Sequence, residues 1–194
     1  MGRKLAFDET LALDKAMLLF WRQGYQDTSL QDLLKEMGIL NGSFYHLFKD
    51  KKQLFLQAME HYRTTIGQRR MHAFGQGNSF SESMRLFFSE IVQTAYNPAW
   101  SGGCLILNSI NQACFKDPQI AQKVREAVSG MESFFAEQLQ MAIEKGEAPQ
   151  ELDPHLTGQL LMTFLMGVMR KTSMRVNPDQ LRKEIANFLI CIGI

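Results

Sequence analysis

Apolar residues recur at helical spacing from one end of this chain to the other. Leu11, Ala12, Ala16, Leu18, Leu19 and Phe20 predict a first helix over about 8–23, with Gly24 placed to end it in a left-handed cap. Leu30, Leu33, Leu34 and Met37 mark a short second helix, for which Thr28 is the expected cap and Gln31 the return partner of a capping box. Gly38 permits a tight turn and Ile39 plugs its angle. A third helix then runs to about residue 47 and turns Phe44, Leu47 and Phe48 inward. Asp50 is placed to cap a fourth helix, which carries Leu54, Phe55, Ala58, Met59, Tyr62 and Ile66 and reaches about residue 72.

The stretch Gly75-Gln76-Gly77-Asn78-Ser79 interrupts this pattern and serves as the expected boundary between two units. Residues 1–52 form the first, residues 76–194 the second, and the fourth helix, about 51–73, connects them. Ser79 with Glu82 opens a helix bearing Met84, Phe87, Phe88, Ile91, Val92 and Ala95, which Asn97-Pro98 stops. Three later helices start with a capping side chain followed by proline, at Asp117-Pro118, Asp153-Pro154 and Asn177-Pro178. The segment 102–115 is ambiguous: Cys104 to Leu107 can form a buried strand, but the lack of a partner strand favours helix. The fold class is therefore all-α, with about nine helices.

With 45% hydrophobic residues in 194, the chain can bury a substantial core. Its formal charge is only +1, but the balance is uneven: 11 − 8 = +3 over residues 1–75 and 10 − 12 = −2 over the remainder. That excess suits a site-specific nucleic-acid binder better than a general coat protein. Cys104, Cys114 and Cys191 are odd in number and lack C-x-x-C spacing, so neither disulfides nor a zinc ribbon is expected. The basic N-terminal residues precede no apolar run, and the longest apolar run, 160–169, is too short to span a bilayer. A soluble cytoplasmic protein without a membrane partner is the expectation; Asn41-Gly42-Ser43 matches a glycosylation site only by accident.

Residues 28–51 concentrate the chemistry. A helix entering the major groove needs a bare N-terminal end and flanking groups that hold phosphate, which Asn41, Gly42 and Ser43 supply on one side and Tyr45, His46 and Lys51 on the other. The Tyr45 hydroxyl can reach a phosphate while its ring packs on the helix flank. Lys51 sits where a helix N-terminus already favours an anion. Thr28 and Ser29 either cap or contact phosphate. Asn41 either caps the third helix or reads a base. Arg3 and Lys4 are either a DNA-directed arm or an ordinary tail.

The pattern Gly24-Tyr25, Thr28-Ser29, Leu33, Gly38-Ile39, Gly42-Ser43, Tyr45, Phe48, Lys51 and Leu54 resembles the TetR family of bacterial transcriptional regulators. Gly103-Cys104-Leu105 and the Asp153-Pro154 helix start are also similar to segments of many members. This resemblance implies a homodimer that binds palindromic operator DNA and releases it when a small molecule binds the C-terminal domain. One departure is Leu40, where many members carry a polar cap.

Of the 12 methionines in the chain, seven, Met131 among them, lie beyond residue 79 and make that part rich in soft side chains. Such residues suit an irregular apolar pocket, and equally an ordinary core. Phe88 and Trp100 are candidates for its aromatic wall, Phe164 is a further pocket candidate, and Asn108, Asn111 and Gln112, on one helix face, are candidates for its polar contacts. Cys104 and Cys114 are either redox or electrophile sensors or small buried hydrophobes. No hydrolase, zincin or phosphate-loop motif occurs, and the four histidines, His46, His61, His72 and His155, make no i,i+4 pair. No enzymatic activity, metal or cofactor is expected. The remaining alternatives are a helical ligand-binding or protein-interaction module without DNA binding, and a cysteine-based sensor.

Overall fold

The computed structural model describes residues 8–98, 100, 103–110 and 117–194. Arg3, Lys4, Asn111, Gln112 and Cys114 lie outside these described residues.

Helix α1 (Glu9–Gln23) starts at Asp8, whose carboxylate accepts the Leu11 N–H. It ends at Gly24, but not in the left-handed cap expected: φ 85° with ψ 164° is an extended conformation open essentially to glycine alone. Helix α2 (Leu30–Met37) is capped by Ser29 rather than Thr28. The Ser29 hydroxyl accepts from the Asp32 N–H and the Asp32 carboxylate accepts from the Ser29 N–H, a reciprocal capping box one residue later than the expected Thr28–Gln31 pair. Thr28 is fully buried and donates its hydroxyl proton to the Gly24 carbonyl at 2.6 Å, tying the loop to the end of α1.

Gly38 adopts the left-handed conformation (φ 71°, ψ 34°) that separates α2 from α3 (Asn41–Phe48). Asp50 caps α4 (Lys51–Tyr62), which passes through a π-helical turn, Arg63–Gly67, into α5 (Gln68–Phe74). The wider turn coincides with Thr64-Thr65-Ile66, a β-branched run in which both threonine hydroxyls bond back to the preceding turn's carbonyls. After the 75–79 turn come α6 (Phe80–Ala95), the short α7 (Leu105–Asn108), α8 (Pro118–Glu144), α9 (Pro154–Ser173) and α10 (Pro178–Cys191). Because α4 and α5 are joined through the π turn, the ten α-helical segments make nine rods, and no strand occurs among the described residues.

All three proline starts form as the sequence predicts, each with its Asp or Asn oxygen accepting N–H groups of the first turn. Within segment 102–115, the described residues 103–110 hold one helical turn, Leu105–Asn108. That turn ends at Asn108, and the other two residues of the expected polar face, Asn111 and Gln112, lie outside the described residues.

Packing follows from these stripes. α1 lies against α2 and α4 around Phe20, Leu33, Phe44, Phe48 and Phe55, while α9 runs back along α8 and brings Gly158 onto Glu132 and Ala136. α5 packs on α6, and their apolar side chains belong to one continuous cluster reaching from Ala12 to Ile194. Lys52 at the start of α4 pairs with Asp117, the cap of α8, at 3.5 Å, so the N-terminal unit also meets the remainder electrostatically.

Candidate functional site

Two regions carry chemistry. The first is α3 and its flanks. Phe44 and Phe48 are fully buried and fix one face of this helix, leaving Asn41, Gly42, Ser43, Tyr45 and His46 on the solvent side. A Cβ added at Gly42 would meet nothing within 4 Å, so the helix start is open to close approach from outside. Neither alternative cap forms: Leu40 occupies the cap position without a side-chain bond and is 80% exposed, while Asn41 is already the first helical residue. The free N–H groups of this first turn therefore face solvent, and Asn41 is not the cap.

Tyr45 is 51% exposed, and its ring meets Phe44 edge to face at 5.4 Å, which orients the hydroxyl end outward. Lys51 is half-buried with Nζ 4.6 Å above the Tyr25 ring. Burial lowers its pKa, and Asp27 opposes that shift. Tyr25 is itself wedged against Phe55 at 4.7 Å, so the glycine–tyrosine pair ending α1 acts as a platform for the lysine. Ser29 is exposed at the start of α2. Thr28, being buried, offers no group to a ligand, which corrects its expected place in the interface.

The second region is a half-open cavity of about 390 Å³ lined by the α4–α5 rod, α7, α8 and α9. Its walls are mostly apolar, from Met71, Leu107, Met131, Phe134, Met162, Leu165 and Met169 among others, with Tyr62, Arg70 and Cys104 on one side. Arg70 donates from Nη2 to the Tyr62 hydroxyl at 3.0 Å, and Cys104 lies within hydrogen-bonding reach of both. Burial pushes the Tyr62 phenol far above its usual range, so it is neutral. The π turn lies along the same wall, through Arg63 and Gly67.

Of the expected pocket residues, Cys104 and Met131 line this cavity. Phe88 does not: it is fully buried against Phe87 and Phe164. Phe164 stacks on Phe188 of α10 at 3.7 Å, away from the cavity. Trp100 packs beside Trp21 under the Arg69 guanidinium, and Asn108 approaches Gly103. These four lie outside this cavity's lining, because helical periodicity identifies a buried face without saying which neighbour covers it. Arg70 and Tyr62 were missed. The available signal was the i,i+4 stripe Tyr62, Ile66, Arg70 and Phe74, where a cation replaces an apolar residue.

Among the described residues no group of His, Cys, Asp or Glu is arranged to hold a metal ion, and no helix is long and apolar enough to cross a membrane.

Comparison with known proteins agrees with this geometry. Residues 12–58 match the family described as "Bacterial regulatory proteins, tetR family", and residues 82–188 match "Tetracyclin repressor-like, C-terminal domain". The chain is 33% identical over 147 residues to the HTH-type transcriptional regulator YezE of Bacillus subtilis (strain 168), covering 76% of each protein. It is 26% identical over 168 residues to the HTH-type transcriptional repressor ComR of Escherichia coli (strain K12), covering 86% of this chain and 80% of ComR. Among solved structures, a cysteine mutant of the regulator CifR complexed with 26bp double-strand operator DNA superposes with a TM-score of 0.88. It is 25% identical, with 96% of this chain and 97% of the other covered.

Proposed function

The chain belongs to the TetR family of bacterial transcriptional regulators, with its helix-turn-helix DNA-binding unit, and from that premise we propose a repressor that binds a palindromic operator as a homodimer and lets go when a small, largely apolar molecule fills the cavity. The observation that carries this reading is the α3 start: small and polar residues exposed on a helix whose opposite face is anchored by two fully buried phenylalanines. Asn41 and Ser43 are the base-directed groups and Gly42 the point of closest approach. Tyr45, His46, Lys51 and Ser29 hold phosphates, because these side chains are exposed or sit at a helix start.

The partner in DNA binding is a second copy. Leu156 and Leu160, one turn apart on α9, and Ile190 on α10 are large apolar side chains left exposed. Covering them by a two-fold pairing of α9 and α10 makes a four-helix interface. The two copies of α3 then have to lie about 34 Å apart to meet successive major grooves. Tyr62 both ends α4 and lines the cavity, so an occupant there bears on the rod that holds the reading unit. An effector that binds better to a dimer of different spacing shifts the population away from the DNA-competent form.

Operator affinity, measured by fluorescence anisotropy on a duplex located by genomic footprinting, tests the clamp. The Tyr45→Phe, Lys51→Ala double variant is expected to bind about tenfold or more weakly across sequences and to lower the salt slope by about one. Affinity equal to the parent's refutes the clamp. Absence of salt-dependent binding to any palindromic duplex favours the interaction-module alternative.

A second reading concerns Cys104, because its thiol lines the cavity beside a guanidinium. In that reading electrophiles, rather than reversible ligands, cause release. Cys104→Ser separates the two, since it abolishes an electrophile response and leaves a reversible one.

A further inference from the structure

Arg70 is 6% exposed, and its Nε has no hydrogen-bond partner among the described residues. All 20 Asp and Glu of the chain lie among the described residues, and none forms an ion pair with it. Among the described residues its polar companions are the neutral Tyr62 hydroxyl and the Cys104 thiol. The other two charged groups on the cavity wall are already matched: Arg63 by a two-pronged contact with Glu60, and Glu126 by Lys123 at 2.9 Å. Arg70 is thus the wall charge that lacks an ionic partner in a mostly apolar chamber. A guanidinium is protonated at any physiological pH, and removing it from water without an anion is strongly unfavourable. Such a group persists where a mobile anion completes it.

We infer that the cavity takes an organic carboxylate, its two oxygens received by Arg70 and the Tyr62 hydroxyl and its apolar body laid between Met131, Phe134, Met162, Leu165 and Met169. A carboxylate suits the planar fork of the guanidinium, and the methionines adapt to bodies of different shape. The volume, about 390 Å³, falls within the range of ordinary small-molecule pockets. This inference rests on the reading of the cavity as an effector site and adds the charge of the effector.

The test uses the full-length protein, with octanoate and 4-phenylbutyrate as probes against the matched alcohols 1-octanol and 4-phenylbutanol, in calorimetric titration and thermal-shift assays. The acids are expected to raise the melting temperature and to bind about tenfold or more tightly than the alcohols. Arg70→Met removes the buried charge while keeping an apolar stem, and is expected to erase the preference and retain alcohol binding. Equal affinity of acid and alcohol for the parent protein, or no binding of either acid, overturns the inference whatever the variant does. Release of operator DNA, followed separately by anisotropy, tells the two levels apart. Acids that bind without releasing DNA uphold the carboxylate site and remove the effector role. Release by the alcohols without acid binding does the reverse.

Discussion

The reading unit and the cavity solve opposite problems with the same kind of helix. In α3 the buried face is plain core, Phe44 and Phe48, and everything chemically active points to water. In the cavity the polar groups of Tyr62, Arg70 and Cys104 line the wall and are withdrawn from water. A surface site can be carried by one short helix and its two flanking turns, because water satisfies whatever its partner does not. An interior site needs several elements to close around it, since each polar group there must find a partner or await one. The first is therefore local in sequence, residues 29–51, whereas the second draws on residues from 62 to 169.

Four substitutions test this contrast, beginning with the largest effect. Phe44→Ala removes a fully buried ring from beneath the reading helix and should cost about 3–5 kcal/mol, read from denaturant unfolding, with operator binding lost along with it. If binding disappeared while stability stayed at the parent level, the ring would belong to the interface and not to its support. Gly158→Ala probes the other region. Its Cβ would stand 2.8 Å from the Glu132 carbonyl oxygen, forcing α9 off α8. A loss of about 1–3 kcal/mol is expected, together with weaker binding of any cavity ligand and little direct effect on α3.

Gly42→Ala sharpens the comparison further. The added methyl meets nothing in the protein, so stability should hold or rise by up to about 1 kcal/mol, as calorimetry would show. Operator affinity should nevertheless fall by about tenfold, because the methyl intrudes on the DNA side. Parallel changes in both quantities would mean that this glycine serves the fold alone. The smallest effect is expected from Ser29→Ala, which removes the α2 cap at about 1 kcal/mol. The Ser29 hydroxyl, and then its backbone N–H, hold the Asp32 carboxylate below its ordinary range. A depressed carboxylate stabilises the folded state above its unfolded pKa and loses that contribution as pH falls through the folded value. The difference between parent and Ser29→Ala should therefore shrink below about pH 4 in acid titrations of α2.

How legible each region was follows from this contrast. The α2–α3 unit could be read because its punctuation is local: Gly38 at positive φ, Asp50 three residues before the Gln53 N–H, and phenylalanines four apart. The one-residue error in its cap arose because Thr28 and Ser29 both carry hydroxyls. The choice fell to Thr28's burial against Gly24, a contact beyond the reach of a local rule. In the cavity, Phe88 and Phe164 were equally plausible pocket residues by spacing, yet one lies against Phe87 and the other on Phe188. Arg70 was hidden between Arg69 and Met71 as one more basic residue. Only its i,i+8 position from Tyr62 distinguished it from the exposed Arg69.

By itself, the chain determined an all-helical course, the three proline-led starts and the polar, small-residue character of the exposed face of α3. Those features depend on interactions within a few residues, where backbone geometry and capping chemistry leave few choices. Tertiary structure alone decided which buried faces close on one another and which leave a chamber. The packing of the α4–α5 rod, α7, α8 and α9 left a permanently charged guanidinium in an apolar interior without an anion of its own. Burial of a charge depends on the sum of all the elements around it, and no stretch of sequence contains that sum.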